Sequence, residues 1–148
     1  MRFRNRLAGT VAALALFGPA AMAQDTVSTS DKWESVVRTD NQEAFVNVAS
    51  VKDVAGMPEA RVKQNFAQPQ PSAKKNKTYQ STRSTYRFDC AQRRVGMKEL
   101  RAYPGPDLQG DVVQKATSSD KNMQWTDAPK NTVFGELLDF VCSGPRSL

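Results

Sequence analysis

The sequence predicts an α+β fold, in which an antiparallel sheet of about five or six strands carries one C-terminal helix on one face. Three observations predict it. Residues 79–90 alternate between apolar and polar side chains, as a half-buried strand does. Residues 131–142 have the helical period instead. The chain contains two cysteines, Cys90 and Cys142, and one lies at the end of each of these segments.

The first 23 residues have the three parts of a secretory signal peptide. A start with three arginines is followed by an uncharged run over residues 7–18 and by a small-x-small cleavage site ending at Ala23. The uncharged run is shorter than a bilayer-spanning helix, which argues against the alternative of a retained membrane anchor. We therefore expect an exported chain that begins at Gln24, lacks a transmembrane segment, and is located in the periplasm or at the outer surface.

The charge of the mature chain is lower than the formal net charge of +6 suggests. The signal peptide removes three arginines and no acid, which leaves about +3. So modest a charge on an exported chain argues against nucleic acid as a partner. The mature length of about 125 residues suits one domain. We expect a flexible leader at residues 24–32 and one domain at residues 33–148.

The two cysteines predict a disulfide, because an exported protein folds in an oxidising compartment. Cys90–Cys142 is then the one intrachain pairing available. Closing a loop of about 50 residues stabilises a fold by about 4 kcal/mol in the chain-entropy account. The alternative, a redox-active cysteine, lacks both a Cys-x-x-Cys motif and any histidine to activate a thiolate.

Two strands and a loop are expected before residue 78. Residues 42–54 are rich in β-branched and aromatic side chains and stop at a Gly-Met-Pro turn. Residues 59–67 alternate, with Val62 and Phe66 on one side of a half-buried strand. Residues 68–77 contain two prolines and no apolar period, so they predict a projecting loop.

The clearest strand of the sequence follows that loop. Its apolar face carries Ser84, Tyr86, Phe88 and Cys90. Residues 93–104 come next at hairpin spacing, and their apolar positions change phase midway, which predicts a β-bulge near Lys98. Two weaker strands are expected over residues 110–118 and 123–129.

The last element is predicted as an amphipathic helix. Its apolar stripe consists of Phe134, Leu137, Leu138 and Val141. Asn131 or Thr132 can cap its start, and Ser143-Gly144-Pro145 can end it. Cys142 lies four residues after Leu138 and so beside the stripe, which predicts that the disulfide links the helix to the sheet.

Several residues together resemble the surface-adhesin protein E family. They are Trp33, Phe45-x-Asn47, the "RFDC" strand, Trp125, Pro129-x-x-Thr132 and the terminal "ELLDFVC". The resemblance covers residues 33–142 and implies an antiparallel sheet tied by one disulfide to a C-terminal helix. It also implies a cell-envelope protein of a Gram-negative bacterium with a role in surface adhesion. The chain differs from the family's lipid-anchored adhesin in lacking an anchoring cysteine near the cleavage site, and has Asn47 where members commonly have aspartate.

The sequence offers little for catalysis. Without histidine, the Ser/His/Asp and Cys/His arrangements and histidine-based zinc sites cannot form. The acids considered for a carboxylate pair are Glu99, Asp107, Asp111, Glu136 and Asp139. Their spacing brings no two of them together, so we interpret them as solvated acids. We expect a non-enzymatic protein with no cofactor and no metal.

A cluster of cations is the candidate binding site. Its members are Lys74, Lys75, Lys77, Arg83 and Arg87. They can attract a protein or an anionic glycan. The alternative is that they only keep a long strand and its loop soluble. The sequence thus predicts an envelope protein that binds protein or glycan partners, or alternatively a periplasmic small-ligand or accessory binding module that uses the open sheet face. A homodimer is compatible with either.

Overall fold

The computed structural model describes residues 31–144, and within them lie eight β-strands and one α-helix. The strands are β1 (Trp33–Arg38), β2 (Gln42–Asn47), β3 (Lys52–Val54), β4 (Met57–Pro71), β5 (Thr78–Asp89), β6 (Arg94–Tyr103), β7 (Gln114–Thr117) and β8 (Trp125–Asp127). The helix α1 spans Val133–Cys142. The predicted signal peptide, residues 24–30 of the predicted leader and Pro145 lie outside the described residues.

The strands form one antiparallel sheet in the order β1-β2-β4-β5-β6-β7. The two remaining strands pair with inner strands: β3 pairs with β4 beyond the stretch paired with β2, and β8 pairs with β6 beyond the stretch paired with β7. The β4–β5 hairpin lies at the centre and contains the two longest strands, of 15 and 12 residues. The predicted α+β class, with an antiparallel sheet and a C-terminal helix, is confirmed.

The predicted strand count of five or six was too low. Strand β1 escaped prediction because a bulge between Ser35 and Val37 interrupts its alternation. The expected strand at residues 42–54 is two strands, β2 and β3, separated by a 3₁₀ turn at Val48–Ser50. Asn47 causes the break, since its side-chain oxygen accepts a hydrogen bond from the Ala49 amide at 3.2 Å.

The expected loop at residues 68–77 is shorter than its sequence suggested. Strand β4 continues to Pro71, which pairs with Thr78, so the turn begins at Ser72. Two prolines are tolerated here because β2 pairs with β4 only as far as Phe66, which leaves the end of β4 at a sheet edge.

The bulge predicted near Lys98 is confirmed. Thr85 pairs with Glu99, whereas the next residue, Tyr86, pairs with Met97, which leaves Lys98 as the extra residue. The bulge lets both halves of β6 present apolar side chains to the same face, with Val95 before it and Ala102 after it.

Helix α1 covers one face of the sheet, called the helix face below. Thr132 caps its start by accepting a hydrogen bond from the Gly135 amide at 3.1 Å. Leu137, Leu138 and Val141 are buried, as the predicted stripe requires. They pack against the apolar side chains of the helix face: Ala44, Val46, Ala60, Val62, Tyr86, Phe88 and Val95. This layer is the core of the domain.

The Cys90–Cys142 disulfide is present, as predicted, and joins the end of β5 to the last residue of α1. Next to it, the Arg93 guanidinium contacts the Asp139 carboxylate of α1 at 2.6 Å. The helix is therefore attached to the β5–β6 hairpin by one covalent bond and one ion pair. Because the ion pair is partly exposed, the covalent bond is the stronger constraint.

The opposite side of the sheet, called the open face, carries mostly polar and charged side chains. In β4 and β5 these are Glu59, Arg61, Lys63, Asn65, Ser81, Arg83, Thr85 and Arg87, each between residues that point to the helix face. The segment from Gly105 to Leu108 covers part of the open face. The Ser81 hydroxyl donates to the Gly105 carbonyl at 2.6 Å and accepts from the Leu108 amide at 2.9 Å.

A buried ion pair lies at one end of the open face. The Arg87 guanidinium contacts the Glu59 carboxylate at 3.0 Å, and both side chains are about one-tenth exposed. Arg87 also contacts Asp120 at 3.3 Å, which ties the 3₁₀ turn Asp120–Asn122 to the sheet. Removing one member of such a pair leaves the other charged and poorly solvated.

We predict that Cys90→Ala/Cys142→Ala lowers the free energy of unfolding by about 4 kcal/mol, because the 52-residue separation makes the loop costly to close without the bond. Urea unfolding of the oxidised chain and of the variant measures the difference. Reductant should destabilise the unmodified chain and leave the variant unchanged. A difference below about 1 kcal/mol would contradict the prediction.

We predict that Gly135→Ala destabilises the fold, although alanine normally favours a helix by up to about 1 kcal/mol. A Cβ at this position would lie far inside van der Waals contact of the Pro129 carbonyl oxygen, a backbone atom that cannot move aside cheaply. Gly96→Ala is the matched comparison, because there the clash is with the flexible Met123 side chain. Thermal unfolding should rank Gly135→Ala as the more costly change; the reverse order would refute this account.

We predict that Arg87→Met costs about 3 kcal/mol of unfolding free energy, because it leaves Glu59 buried without its main partner. Arg83→Met serves as the control, since the same exchange occurs on the same strand in a half-buried side chain. The double variant Arg87→Met/Glu59→Gln should recover most of the loss. Equal costs for Arg87→Met and Arg83→Met would show that the pair does not stabilise the sheet.

Candidate binding surface on the open face

The structure separates the five cations that the sequence grouped together. Lys74, Lys75 and Lys77 are exposed in the turn between β4 and β5. Arg83 lies midway along β5, and Arg87 lies near the other end, about 33 Å from Lys77 at the usual rise per residue. A single compact ligand does not span that length, so the five residues do not form one site.

The turn lysines form a surface of their own. The Gln114 side-chain oxygen, at the start of β7, accepts hydrogen bonds from the Ser72 hydroxyl at 3.0 Å and from the Ala73 amide at 2.9 Å. These bonds hold the turn against β7, the edge strand beyond β6. Arg87, in contrast, is enclosed in its ion pairs with Glu59 and Asp120 and presents little surface to a partner.

Arg83 belongs to a row of cations that runs across four adjacent strands. Lys63 of β4 pairs with Arg83 of β5, Arg83 pairs with Arg101 of β6, and Arg101 pairs with Lys115 of β7. We call these four residues the basic row. With strands about 4.8 Å apart, the row is about 14 Å long.

Two cations of the basic row have acidic partners. Lys63 contacts Asp107 at 2.9 Å, and Arg101 contacts Glu99 at 2.6 Å. Arg83 and Lys115 form no ion pair within residues 31–144. The row therefore carries two positive charges in excess of its acidic partners.

Aromatic rings continue the row at its β4 end. The Lys63 ammonium lies 4.3 Å from the ring centroid of Phe45 and 5.5 Å from that of Trp33. Both rings are half-buried, and they lie on the same side of the sheet as the row. These contacts and Asp107 leave the Lys63 side chain only 12% exposed, so the cations of the row that a ligand can reach are mainly Arg83, Arg101 and Lys115.

Two acids beside the open face, Asp107 and Asp120, remain ionised at neutral pH. Hydrogen bonds from Asn65 and then from Lys63 lower the pKa of Asp107. A hydrogen bond from Lys98 is the main reason that the pKa of Asp120 is also lowered. Each of these two carboxylates thus continues to neutralise the cation beside it.

Sequence reasoning found one member of the basic row, Arg83, and missed Lys63, Arg101 and Lys115. The four positions are far apart along the chain, and the pairing of the strands is what brings them together. Alternation did place Lys63 on the polar side of its strand, which is the one signal available before the register is known.

A cleft of about 660 Å³ adjoins the basic row on the open face. Its floor is the next row of paired residues, Arg61, Thr85, Glu99 and Thr117. One wall is formed by residues 49–52 and the opposite wall includes Lys98 at the bulge. The cleft and the row lie side by side on the face of the sheet away from α1.

The described part of the chain shows neither a metal cluster nor a membrane-spanning helix. From Asp31 to Gly144, the side chains of cysteine, aspartate and glutamate form no group of three suited to a metal ion. No helix in that range is long and apolar enough to cross a bilayer.

Three solved structures of protein E have a similar fold. Haemophilus influenzae protein E is similar at a TM-score of 0.52 with 75% of this chain and 83% of that chain covered, and its crystal form II at 0.54 with 75% and 87% covered. Protein E from non-typeable Haemophilus influenzae is similar at 0.51, with 80% and 79% covered. All three are 12% identical to this chain, so they show a shared fold.

A family comparison agrees with this fold and with the resemblance seen in the sequence. The family described as "Surface-adhesin protein E" matches residues 33–143, which includes every strand, α1 and both cysteines. Curated protein sequences gave no significant match. The family match supports an exported or surface-located, adhesin-like protein. The chain belongs to the surface-adhesin protein E family.

Proposed function

We propose that this chain is an exported, non-enzymatic envelope protein that binds a linear anionic glycan along the basic row. Family membership supports an adhesin-like role. The observation that carries the proposal is the strand register, which aligns Lys63, Arg83, Arg101 and Lys115 across the open face. A line of cations with two unneutralised charges attracts a ligand whose negative charges are also in a line.

The spacing of the row suits an extended polyanion. Neighbouring cations are separated by one interstrand distance, about 4.8 Å, and all four lie on the same face of the sheet. A sulfated or uronate-containing glycan can lie across such a surface and meet several cations at once. Binding of this kind gains free energy mostly by releasing counterions, and it is weakened by salt.

A folded protein is a less suitable partner for this surface. Stable protein interfaces have an apolar centre with aromatic anchors inserted into pockets. The centre of the open face carries Arg83, Thr85 and Arg101 instead, and the two aromatic rings at its end are covered by Lys63. The surface is therefore better matched to a polar, charged chain than to a protein core.

We predict that Arg83→Gln/Lys115→Gln weakens binding of a heparin oligosaccharide about tenfold, because it replaces the two unneutralised cations by uncharged polar side chains. Isothermal titration calorimetry on the chain from Gln24 onward, at several salt concentrations, measures the affinity. The dependence of affinity on salt should also become shallower in the variant.

The matched control is Lys74→Gln/Lys75→Gln/Lys77→Gln, which removes three charges from the turn and leaves the basic row intact. We expect it to change the affinity by less than about threefold. A greater loss in the turn variant than in the row variant would refute the basic row as the site. So would a heparin affinity that is indifferent to salt, or an acidic protein that binds the row while heparin does not.

A further inference from the structure

The cleft beside the basic row differs from the row in both shape and chemistry. Its volume of about 660 Å³ lies within the usual range for small-molecule sites, about 300–1,000 Å³. Its lining contains cations, acids and hydroxyls together with the apolar residues Ala49, Val51 and Ala60, whereas the row contains cations alone. A site of this composition suits a small, polar ligand rather than a uniform polyanion.

A chain of alternating charges connects the two walls of the cleft. Lys52 contacts Glu59 at 3.6 Å, Glu59 contacts Arg87, Arg87 contacts Asp120, and Asp120 contacts Lys98. Three cations and two acids leave one positive charge in excess. The remaining charged residues of the floor are balanced, since Arg61 contacts Asp31 and Glu99 contacts Arg101. The cleft is therefore suited to a ligand with one negative charge.

The floor of the cleft also provides hydrogen-bonding groups. The hydroxyls of Thr85 and Thr117 take part in no side-chain hydrogen bond that the structure places between residues 31 and 144. Each can donate one bond and accept others. The Glu99 carboxylate beside them is about two-fifths exposed and can accept bonds from a ligand.

We infer that the cleft binds one acidic monosaccharide unit, of the hexuronate type. Such a sugar has one carboxylate and several hydroxyls on a compact ring, which matches the single excess charge and the polar floor. Its carboxylate would meet one wall lysine, Lys52 or Lys98, and its hydroxyls would meet Glu99, Thr85 and Thr117.

The ion pairs already present do not prevent this binding. The Lys52 side chain is 66% exposed, and its contact with Glu59 is long at 3.6 Å. Asp120, the partner of Lys98, is 64% exposed. Exposed pairs of this kind contribute little, so a ligand carboxylate can replace them at small cost. The buried Glu59–Arg87 pair stays in place beneath the site.

This inference rests on the proposed function, because the basic row would bind the part of the glycan that extends beyond the cleft. Arg61 in the cleft floor and Lys63 in the basic row are two residues apart on β4, a separation of about 7 Å. A glycan whose acidic end occupies the cleft can therefore continue over the row. The cleft then recognises the terminal sugar, and the row holds the chain that follows.

The test uses free glucuronate, with glucose as the uncharged comparison, titrated into the chain from Gln24 onward and followed by backbone amide NMR shifts. We expect glucuronate to shift the amides of Thr85, Glu99 and Thr117 and to bind at least tenfold more tightly than glucose. Thr85→Val removes a hydroxyl at nearly constant volume and should weaken glucuronate binding about fivefold.

Ala49→Trp places a bulky side chain in the exposed wall of the cleft and should abolish glucuronate binding. Ala73→Trp, at an exposed position in the β4–β5 turn, is the matched control and should leave that binding unchanged. Equal affinities for glucuronate and glucose, an absence of shifts in the cleft, or full binding by Ala49→Trp would each overturn the inference.

The two proposals fail in different experiments. Arg83→Gln/Lys115→Gln should weaken heparin binding about tenfold and keep glucuronate binding within about twofold, since neither residue lines the cleft. Heparin binding without glucuronate binding would leave the basic row standing and refute the cleft. Glucuronate binding without heparin binding would support the cleft and refute the proposed function.

Discussion

Antiparallel pairing between β4 and β5 decides which side chains of the sheet share a face, and the other strands extend that assignment outward. Val62 opposite Ser84 and Ala60 opposite Tyr86 lie on the helix face, while Lys63 opposite Arg83 lies on the open face. Because side chains alternate along a strand, a slip of one residue would exchange the two sets. The β4–β5 register therefore determines both which side chains form the core and which form the charged surface.

Much of the fold could be predicted from local patterns. Alternation along β5, the helical stripe of α1, the bulge at Lys98 and the disulfide each leave a signal within a short stretch or in the count of cysteines. The features that were missed have weak local signals. The bulge in β1 interrupts its alternation, and the two prolines near the end of β4 are typical of a loop.

The candidate site was harder to predict, because it depends on contacts between distant parts of the chain. Lys74, Lys75 and Lys77 are conspicuous as neighbours in sequence, but the structure places them in a separate turn. Lys63 and Arg101 become neighbours of Arg83 only through pairing. Arg87 looks like Arg83 in the sequence, yet its acidic partners enclose it. Burial and partners, which alternation does not reveal, decide the role of each cation.

The bulge in β6 has a consequence for how this surface can vary during evolution. Lys98 is the one residue that keeps the two halves of β6 in their separate phases. Substituting it alters a charge, but deleting it would turn Arg101 toward the helix and Ala102 toward solvent. Natural variation can therefore adjust the ligand preference of the open face by exchanging side chains, whereas length changes at this point would cost the protein its core and its ligand surface in one step.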